Sequence, residues 1–308
     1  MSEAKTLALI TSGGDAPGMN TALHVLTERA EHEGWRVLGV REGFQGLLNG
    51  DFKTLNATET VRYTRHGGTF LGTSRLPNFH ALADQSAKII EEHGVTHLAV
   101  IGGNGSLRGA ALLSRYAHTA GLPGTIDNDV YGSELSIGFD TALNTGLTLL
   151  DGMRDSAESL PRLFALETLG GDTGFLADAV AEAGGADVTL IPEDVLLESD
   201  IHERLRESAL RQRYALIVAS EGYPDLVNVL ERASEALQTR IRLTRAGHAQ
   251  RGGRPSAGDR LLAGALADAA FGLLQKGESG AALWQNGRAV TAPFGEAAVK
   301  PFAAWGNS

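Results

Sequence analysis

The sequence predicts an α/β protein with two doubly wound α/β/α lobes and mainly parallel sheets. Short apolar runs recur along the chain, and stretches with helical periodicity separate them. Strands that alternate with helices in this way usually form parallel sheets covered by helices on both faces. Two of the apolar runs end in glycine-rich turns, which is where strands of this class pass into helices.

Each element follows from its own pattern. The first strand is predicted at residues 6–10, and a helix from about residue 20 to 33 places Leu23, Leu26 and Ala30 on one face. A further helix is predicted to extend through residues 110–116. Additional strands are predicted at residues 35–40, 97–101, 163–168, 186–191 and 214–220. Residues 281–302 are predicted to form a hairpin around Asn286-Gly287 and then an irregular end.

Composition excludes several classes of function. The chain has 308 residues, of which 43% are hydrophobic and 21% charged, as is ordinary for a soluble globular protein with one large or two ordinary domains. Its formal net charge of −10 argues against nucleic acid or an anionic membrane as partner. The absence of cysteine excludes disulfides, thiolate metal sites and a cysteine nucleophile. No long apolar run or signal-peptide pattern is present, so we expect a cytoplasmic protein.

Positive charge is concentrated in one segment of this acidic chain. Between residues 240 and 260 a single acid, Asp259, opposes six arginines: Arg240, Arg242, Arg245, Arg251, Arg254 and Arg260. Such a run is compatible with a solvated face and equally with a site that binds phosphate groups.

Two glycine-rich turns, at residues 13–18 and 102–106, follow predicted strands. Glycine permits positive φ and lets the backbone approach a phosphate closely. Neither turn fits the P-loop pattern or the dinucleotide-binding pattern. Glycines at such turns are often purely structural, so each turn alone leaves the question open.

Asp127 and Asp129 lie at the end of another apolar segment, in the sequence GLPGTIDND of residues 121–129. Two carboxylates at this spacing can serve a substrate hydroxyl and a metal ion in phosphoryl transfer, where one aspartate commonly accepts the hydroxyl proton. The alternative is that they cap a turn or the following helix.

Five segments together resemble the 6-phosphofructokinase family, in its order and spacing, over about residues 5–275. They are TSGGDAPGMN (11–20), GGTFLGTSR (67–75), PGTIDND (123–129), SIGFDTA (136–142) and GHAQRGG (247–253). The resemblance implies ATP-dependent phosphorylation of fructose 6-phosphate at its 1-hydroxyl in glycolysis, with Mg²⁺ and ATP, by a homotetramer. It also implies a nucleotide-binding lobe from residues 1–138 and 251–293 and a sugar-phosphate-binding lobe from residues 139–250 and 294–308.

The resemblance also assigns site residues. Asp127 is implied as the catalytic base, Thr125 lies beside the transferred phosphate, and Asn104 and Asp129 are at the metal. The implied nucleotide site consists of Gly14, Phe44, Arg75, Gly103, Asn104, Gly105, Ser106 and Arg108, with Phe44 packed on the adenine. The implied sugar-phosphate site consists of Arg162, Leu169, Glu221, Arg242, His248 and Arg251, of which Arg162 and Arg242 come from a neighbouring subunit.

The expected donor is ATP, because Gly105 and Gly124 stand where pyrophosphate-dependent members of the family have aspartate and lysine. Both glycines are expected to leave room for the α-phosphate and ribose.

Three residues depart from the family pattern around the transferred phosphate. Asn104 replaces a metal-binding aspartate, while His80 and Gly171 replace arginines. The implied effector site is also altered. Arg154 matches an effector-binding arginine, although it is equally compatible with a helix surface, and His24 and Glu28 stand where arginines are common.

Two alternatives therefore accompany the kinase hypothesis. One is a catalytically weak regulatory subunit that binds sugar phosphate or nucleotide. The other is a kinase for a different sugar phosphate.

Overall fold

The computed structural model describes residues 5–295 and Lys300. The irregular end expected after the hairpin, and most of the expected lobe segment 294–308, lie outside these residues.

The described residues form eleven strands and eleven α-helices. The strands are β1 (Thr6–Ser12), β2 (Arg36–Val40), β3 (Phe52–Thr54), β4 (His97–Gly102), β5 (His118–Pro123), β6 (Leu163–Thr168), β7 (Val188–Leu190), β8 (Ala215–Ser220), β9 (Ile241–Arg245), β10 (Gly280–Gln285) and β11 (Arg288–Ala292). The helices are α1 (Met19–His32), α2 (Gly43–Asn49), α3 (Ala57–Thr60), α4 (Phe79–Leu82), α5 (Gln85–Glu92), α6 (Asn104–Leu113), α7 (Phe139–Ser159), α8 (Phe175–Gly184), α9 (Glu198–Gln212), α10 (Leu226–Ala236) and α11 (Ala257–Gln275). Short 3₁₀ turns span Val61–Tyr63 and Gly247–Arg251.

The chain divides into two compact units. The first holds the described residues up to Thr125, then Asp129–Thr141, and then those from Arg251 onward. The second holds Ile126–Asn128 and Ala142–Gln250.

The first unit is built on a seven-stranded sheet in the order β11-β10-β5-β4-β1-β2-β3. Its five central strands are parallel, and the edge strands β3 and β11 are antiparallel to their neighbours. One face of the sheet packs against α2, α5 and α6 around residues such as Ile10, Leu47 and Leu113. Helices α1 and α11 pack against each other and against the sheet. This arrangement is the doubly wound one that the alternation of strands and helices predicted.

The second unit is built on a four-stranded sheet in the order β7-β8-β6-β9, with every pair parallel. Helices α9 and α10 bury Leu205 and Leu230 against β6, β7 and β8. Helix α8 contacts the same three strands. The predicted fold class is therefore confirmed.

Most predicted elements are present, with small shifts at their ends. Strand β6 has the predicted bounds, and Leu23, Leu26 and Ala30 of α1 are all buried. Strand β7 is shorter than predicted. Strand β9, which contains Arg242 and Arg245, lies inside the arginine-rich segment. In the described residues, no helix is long and apolar enough to cross a membrane.

Candidate active site

Three strands of the first sheet end side by side. Ser12 of β1 pairs with Gly102 of β4, and Gly102 pairs with Pro123 of β5. The turns after these strands are therefore neighbours, and α6 begins in the second of them at Asn104. A helix N-terminus at the carboxyl ends of parallel strands presents free N–H groups and a positive dipole end, which suits a phosphate group.

The turn after β1 holds an arginine against a glycine. A Cβ at Gly14 would lie 2.0 Å from Nη1 of Arg251, so this guanidinium group lies directly against the turn. The N–H of Gly13 donates to the carbonyl of Ser74 at 3.3 Å, which places the segment leading to Arg75 at the same turn. Three residues predicted for phosphate binding thus meet in the first unit.

The turn after β4 meets the turn after β5. A Cβ at Gly103 would lie 3.6 Å from the Cβ of Thr125. Asn104 Nδ2 donates to Oδ2 of Asp129 at 2.9 Å and to the Asp129 carbonyl at 3.1 Å. The structure therefore brings these four predicted residues together.

Mg²⁺ is the metal that the resemblance implies. Within residues 5–295 and Lys300, no three His, Cys, Asp or Glu side chains form a metal site. Mg²⁺ that accompanies a nucleotide usually takes only one or two carboxylates, together with phosphates and water. Asp129 meets that requirement, so the residues present fit the ion. Asn104 directs its amide nitrogen to the carboxylate and so orients Asp129.

The two glycines expected to make room for ATP differ. Gly105 is exposed, and a Cβ there would meet nothing closer than Nη2 of Arg108 at 4.0 Å. A Cβ at Gly124 would lie 2.8 Å from Cγ2 of Ile101 and 3.2 Å from Cε of Met19, which are both buried in the core. Packing is therefore sufficient to account for Gly124, and its role in leaving room for ATP stays a prediction.

Two predicted nucleotide-binding residues are interior. Phe44 is 3% exposed and stacks on Phe79 with ring centroids 4.0 Å apart. A ring buried in this way has no free face for an adenine, so the structure gives Phe44 a packing role in place of the expected one. Ser106 is also buried, and a Cβ at Gly13 would lie 3.3 Å from its hydroxyl oxygen.

In the second unit, a carboxylate holds the turn after β6. Oε1 of Glu221 accepts from the N–H of Gly171 at 2.9 Å and of Gly170 at 3.3 Å. The N–H of Leu169 donates to Oε1 of Gln250 at 2.8 Å. Leu169 and Glu221, both predicted for the sugar phosphate, therefore lie at one turn.

Gly171 lies beside the predicted catalytic base. Its φ is +60°, and a Cβ there would be 3.5 Å from Oδ2 of Asp127. A side chain at this position would therefore start next to that carboxylate. His80, another departure from the family pattern, is exposed on α4 of the first unit.

Arg162 and Arg242 lie at the other end of the second sheet. Arg162 precedes β6, and Arg242 pairs with Phe164 near the start of both strands. Glu221 follows the carboxyl end of β8, and the exposed His248 lies in the 3₁₀ turn after β9. A strand of six residues is about 20 Å long. Within a single chain, Arg162 and Arg242 therefore do not reach Glu221.

Comparison with known proteins gives the family. The profile described as Phosphofructokinase (PFK) matches residues 6–274. The chain belongs to the phosphofructokinase family.

Two similar proteins carry the name of one enzyme of this family. The chain is 41% identical to a protein of Listeria welshimeri named ATP-dependent 6-phosphofructokinase, over 91% of this chain and 89% of the relative. It is 39% identical to a protein of Streptococcus suis with the same name, over 91% of this chain and 84% of that one.

Solved structures give the same fold. Phosphofructokinase from Pichia pastoris in the T-state superposes with a TM-score of 0.90 and 30% identity over 96% of this chain. This chain spans 36% of the length of the Pichia chain. A pyrophosphate-dependent phosphofructokinase from Marinobacter aquaeolei has a TM-score of 0.86 at 22% identity, covers 97% of this chain and 86% of its own, and supports the fold alone.

Residues implied for the phosphofructokinase effector site have other partners here. Arg154 donates to the carbonyls of Gly184 and Gly185, the latter at 3.2 Å, and so caps the C-terminus of α8. The ring nitrogen Nδ1 of His24 bonds to Oγ1 of Thr60 at 3.0 Å. The structure thus favours the helix-surface interpretation of Arg154.

Two residues that sequence reasoning missed support the phosphofructokinase motifs. Gln250 is fully buried and connects the N–H of Leu169 to the carbonyl of Ala142. Asp259 is fully buried and accepts from the N–H groups of Gly138 and Thr141 at 2.7 and 2.8 Å. The sequence signal for Gln250 was its position inside the motif GHAQRGG. The signal for Asp259 was that it is the one acid among the arginines of residues 240–260.

Proposed function

We propose that this chain is an ATP-dependent 6-phosphofructokinase, which transfers the γ-phosphoryl group of ATP to the 1-hydroxyl of fructose 6-phosphate. Relatives with that name match nine-tenths of the chain at about 40% identity. The structural observation that carries the proposal is the Asp127 carboxylate beside the Gly170-Gly171 turn that Glu221 holds.

The donor phosphates are assigned to the first unit. The N-terminus of α6 and the Gly14 turn offer backbone N–H groups, and Arg75 supplies positive charge to phosphoryl oxygens. Arg251, which the resemblance assigns to the sugar phosphate, also lies against the Gly14 turn. When bound, Mg²⁺ neutralises charge on the β- and γ-phosphates, and Asp129 is the side chain that would hold it. The exposed face at Gly105 leaves space for the rest of the nucleotide.

The acceptor is assigned to the second unit, where Asp127 acts as general base. As the sugar oxygen bonds to the γ-phosphorus, the bond from that phosphorus to the β-phosphate oxygen breaks and ADP leaves. The hydroxyl proton passes to the Asp127 carboxylate. Glu221 and Leu169 are the residues that orient the sugar.

The sugar-phosphate pocket is proposed to be shared between subunits, because Arg162 and Arg242 lie at the opposite end of their sheet from Glu221. We expect Arg162→Ala and Glu221→Ala chains to be nearly inactive alone. An equimolar mixture that assembles at random should regain about one quarter of wild-type activity, since mixed interfaces rebuild one intact site. Coexpression followed by a coupled assay checks this prediction. A fully active monomer, or no recovery in mixed oligomers, would contradict it.

A side-by-side assay tests the proposed reaction. The purified chain is supplied with MgATP or pyrophosphate and with fructose 6-phosphate or other sugar phosphates. We expect the largest kcat/KM for MgATP with fructose 6-phosphate. A larger value for another acceptor would favour the kinase with a different sugar phosphate.

A second candidate, the weak regulatory subunit, is favoured by the missing side chain at Gly171 and by the neutral Asn104. Binding of MgATP and fructose 6-phosphate without turnover in the same assay would support that candidate and reject the kinase.

A further inference from the structure

We propose that the first unit carries a second ligand site, for a small molecule bearing phosphate groups, in a cavity at the amino ends of its parallel strands. The cavity has a volume of about 690 Å³, within the usual range for small-molecule sites. Its walls come from residues just before or at the start of β1, β4 and β5 and from residues that follow α6 and α11.

The lining is basic. Lys5, Arg115 and Lys276 contribute three full positive charges, and His97 and His118 add two imidazole rings. The twelve lining residues include no aspartate or glutamate. In the described part of the chain, none of the three cations forms an ion pair. The cavity therefore stands out in a protein whose net charge is −10.

The negative ends of the two helices at the cavity do not neutralise this positive charge. Helices α6 and α11 end at the cavity, and each C-terminus carries roughly −0.5 of an elementary charge. The sum of about −1 is smaller than the three positive charges, so the cavity keeps an excess of positive charge for an anionic ligand.

The buried residue His97 lies in the electrostatic field of these positive charges. His97 is buried, and its Nδ1 lies 2.7 Å from Oγ1 of Thr96. Burial, together with the positive charges of His118 and Lys5, lowers the pKa of His97 to about 4. The opposing influence is a backbone carbonyl, that of Leu274, and no carboxylate contributes. The cationic groups thus converge on one place.

The site is distinct from the candidate active site. Its residues His97 and His118 begin β4 and β5, whereas Gly102 and Pro123 at the other ends of these strands lead to the proposed ATP site. Six residues of strand separate the two ends by about 20 Å.

The chemistry of the lining selects phosphate. The guanidinium group of Arg115 can bind two phosphoryl oxygens at once, and the ammonium groups of Lys5 and Lys276 add point charges. A ligand with a single carboxylate would engage only part of this set of cations. A ligand with two or more phosphate charges matches the three cations.

Trp35 provides a local measurement. Nζ of Lys5 lies 4.7 Å from the centre of the Trp35 ring, which is 8% exposed. An anion that binds Lys5 changes the field at this indole, so its fluorescence should respond. The titrant is inorganic tripolyphosphate, and Trp35→Phe separates this signal from those of Trp284 and Trp305.

We expect a saturable change in wild type that is absent from Trp35→Phe. Arg115→Gln and Lys276→Gln should raise the dissociation constant about fivefold to tenfold. Arg288→Gln, which removes an exposed charge of the same unit away from the cavity, should leave it unchanged. Kinase activity should persist in all three charge variants, so failure here is separable from failure of the proposed function.

Two results would overturn the proposal. One is the absence of a saturable Trp35 response up to about 10 mM tripolyphosphate, a range that covers weak sites. The other is a response that Arg75→Gln abolishes while Arg115→Gln and Lys276→Gln do not, because the anion would then be bound at the proposed ATP site.

Discussion

At the scale of single residues, the chemistry of this chain turns on two neutral positions beside carboxylates. Asn104 donates to Asp129, and Gly171 leaves the space beside Asp127 without a side chain. Both stand where the family pattern has a charged group. A missing charged group at a transition-state oxygen typically costs about 10²- to 10³-fold in kcat.

Restoring both charges should raise kcat by about tenfold or more. Asn104→Asp places a carboxylate within hydrogen-bonding distance of Asp129, and two carboxylates this close need a cation between them. The Mg²⁺ concentration for half-maximal activity should therefore fall in this variant. Gly171→Arg returns a guanidinium group, although its φ of +60° costs roughly 1 kcal/mol for any side chain. Magnesium titrations of each single variant and of the double variant measure these effects.

A fast wild-type enzyme with no gain in the double variant would contradict this account. Exposed residues such as His80 or Arg108 would then supply the missing charge.

Donor choice should depend on Gly105, which faces open space. Gly105→Asp should lower kcat/KM for ATP by about 100-fold, because its side chain enters open space near the nucleotide and repels phosphate. Gly152→Asp is the matched control, since Gly152 of α7 also faces open space. Steady-state kinetics with ATP measure the effect, and equal kcat/KM values for the two variants would show that Gly105 does not face the donor.

At the scale of elements, the sequence predicted the strands and helices whose apolar residues form runs or recur with a regular period. Strand β6 and the buried face of α1 follow directly from runs of apolar residues. Strand β3 escaped prediction because three residues give no period. Strand β9 did so because Arg242 and Arg245 interrupt the apolar pattern of this edge strand. Partial solvation of an edge tolerates such charges, so hydrophobicity carries little signal there.

The start of α7 depends on another helix. Asp259 of α11 accepts from the N–H groups of Gly138 and Thr141, and so caps α7 from outside. Asp259→Ala should lower the free energy of unfolding by about 2–4 kcal/mol, because it leaves buried donors without an acceptor.

Asp268→Ala on the same helix is the control. It removes an exposed ion pair with Arg29 and should cost less than about 1 kcal/mol. Chemical denaturation of both variants makes the comparison, and equal losses would disprove the capping role.

At the scale of the whole molecule, the family and the fold class were both predictable, because five ordered motifs carry the first and alternating strands and helices carry the second. What each position of the chain faces was not predictable from the sequence. The sequence does not tell that Gly105 faces open space while Gly124 faces Ile101, or that Phe44 stacks on Phe79. Those differences arise from tertiary packing, which no single motif records.

The central claim is that this chain is a working kinase with Asp127 as its general base. The most direct measurement is kcat for fructose 6-phosphate and MgATP in wild type, in Asp127→Asn and in Asp155→Asn, an exposed aspartate of the same unit. We expect Asp127→Asn to lower kcat by roughly 10²- to 10⁴-fold with KM for the sugar phosphate within a few-fold, and Asp155→Asn to match wild type. Unchanged turnover in Asp127→Asn would contradict the account.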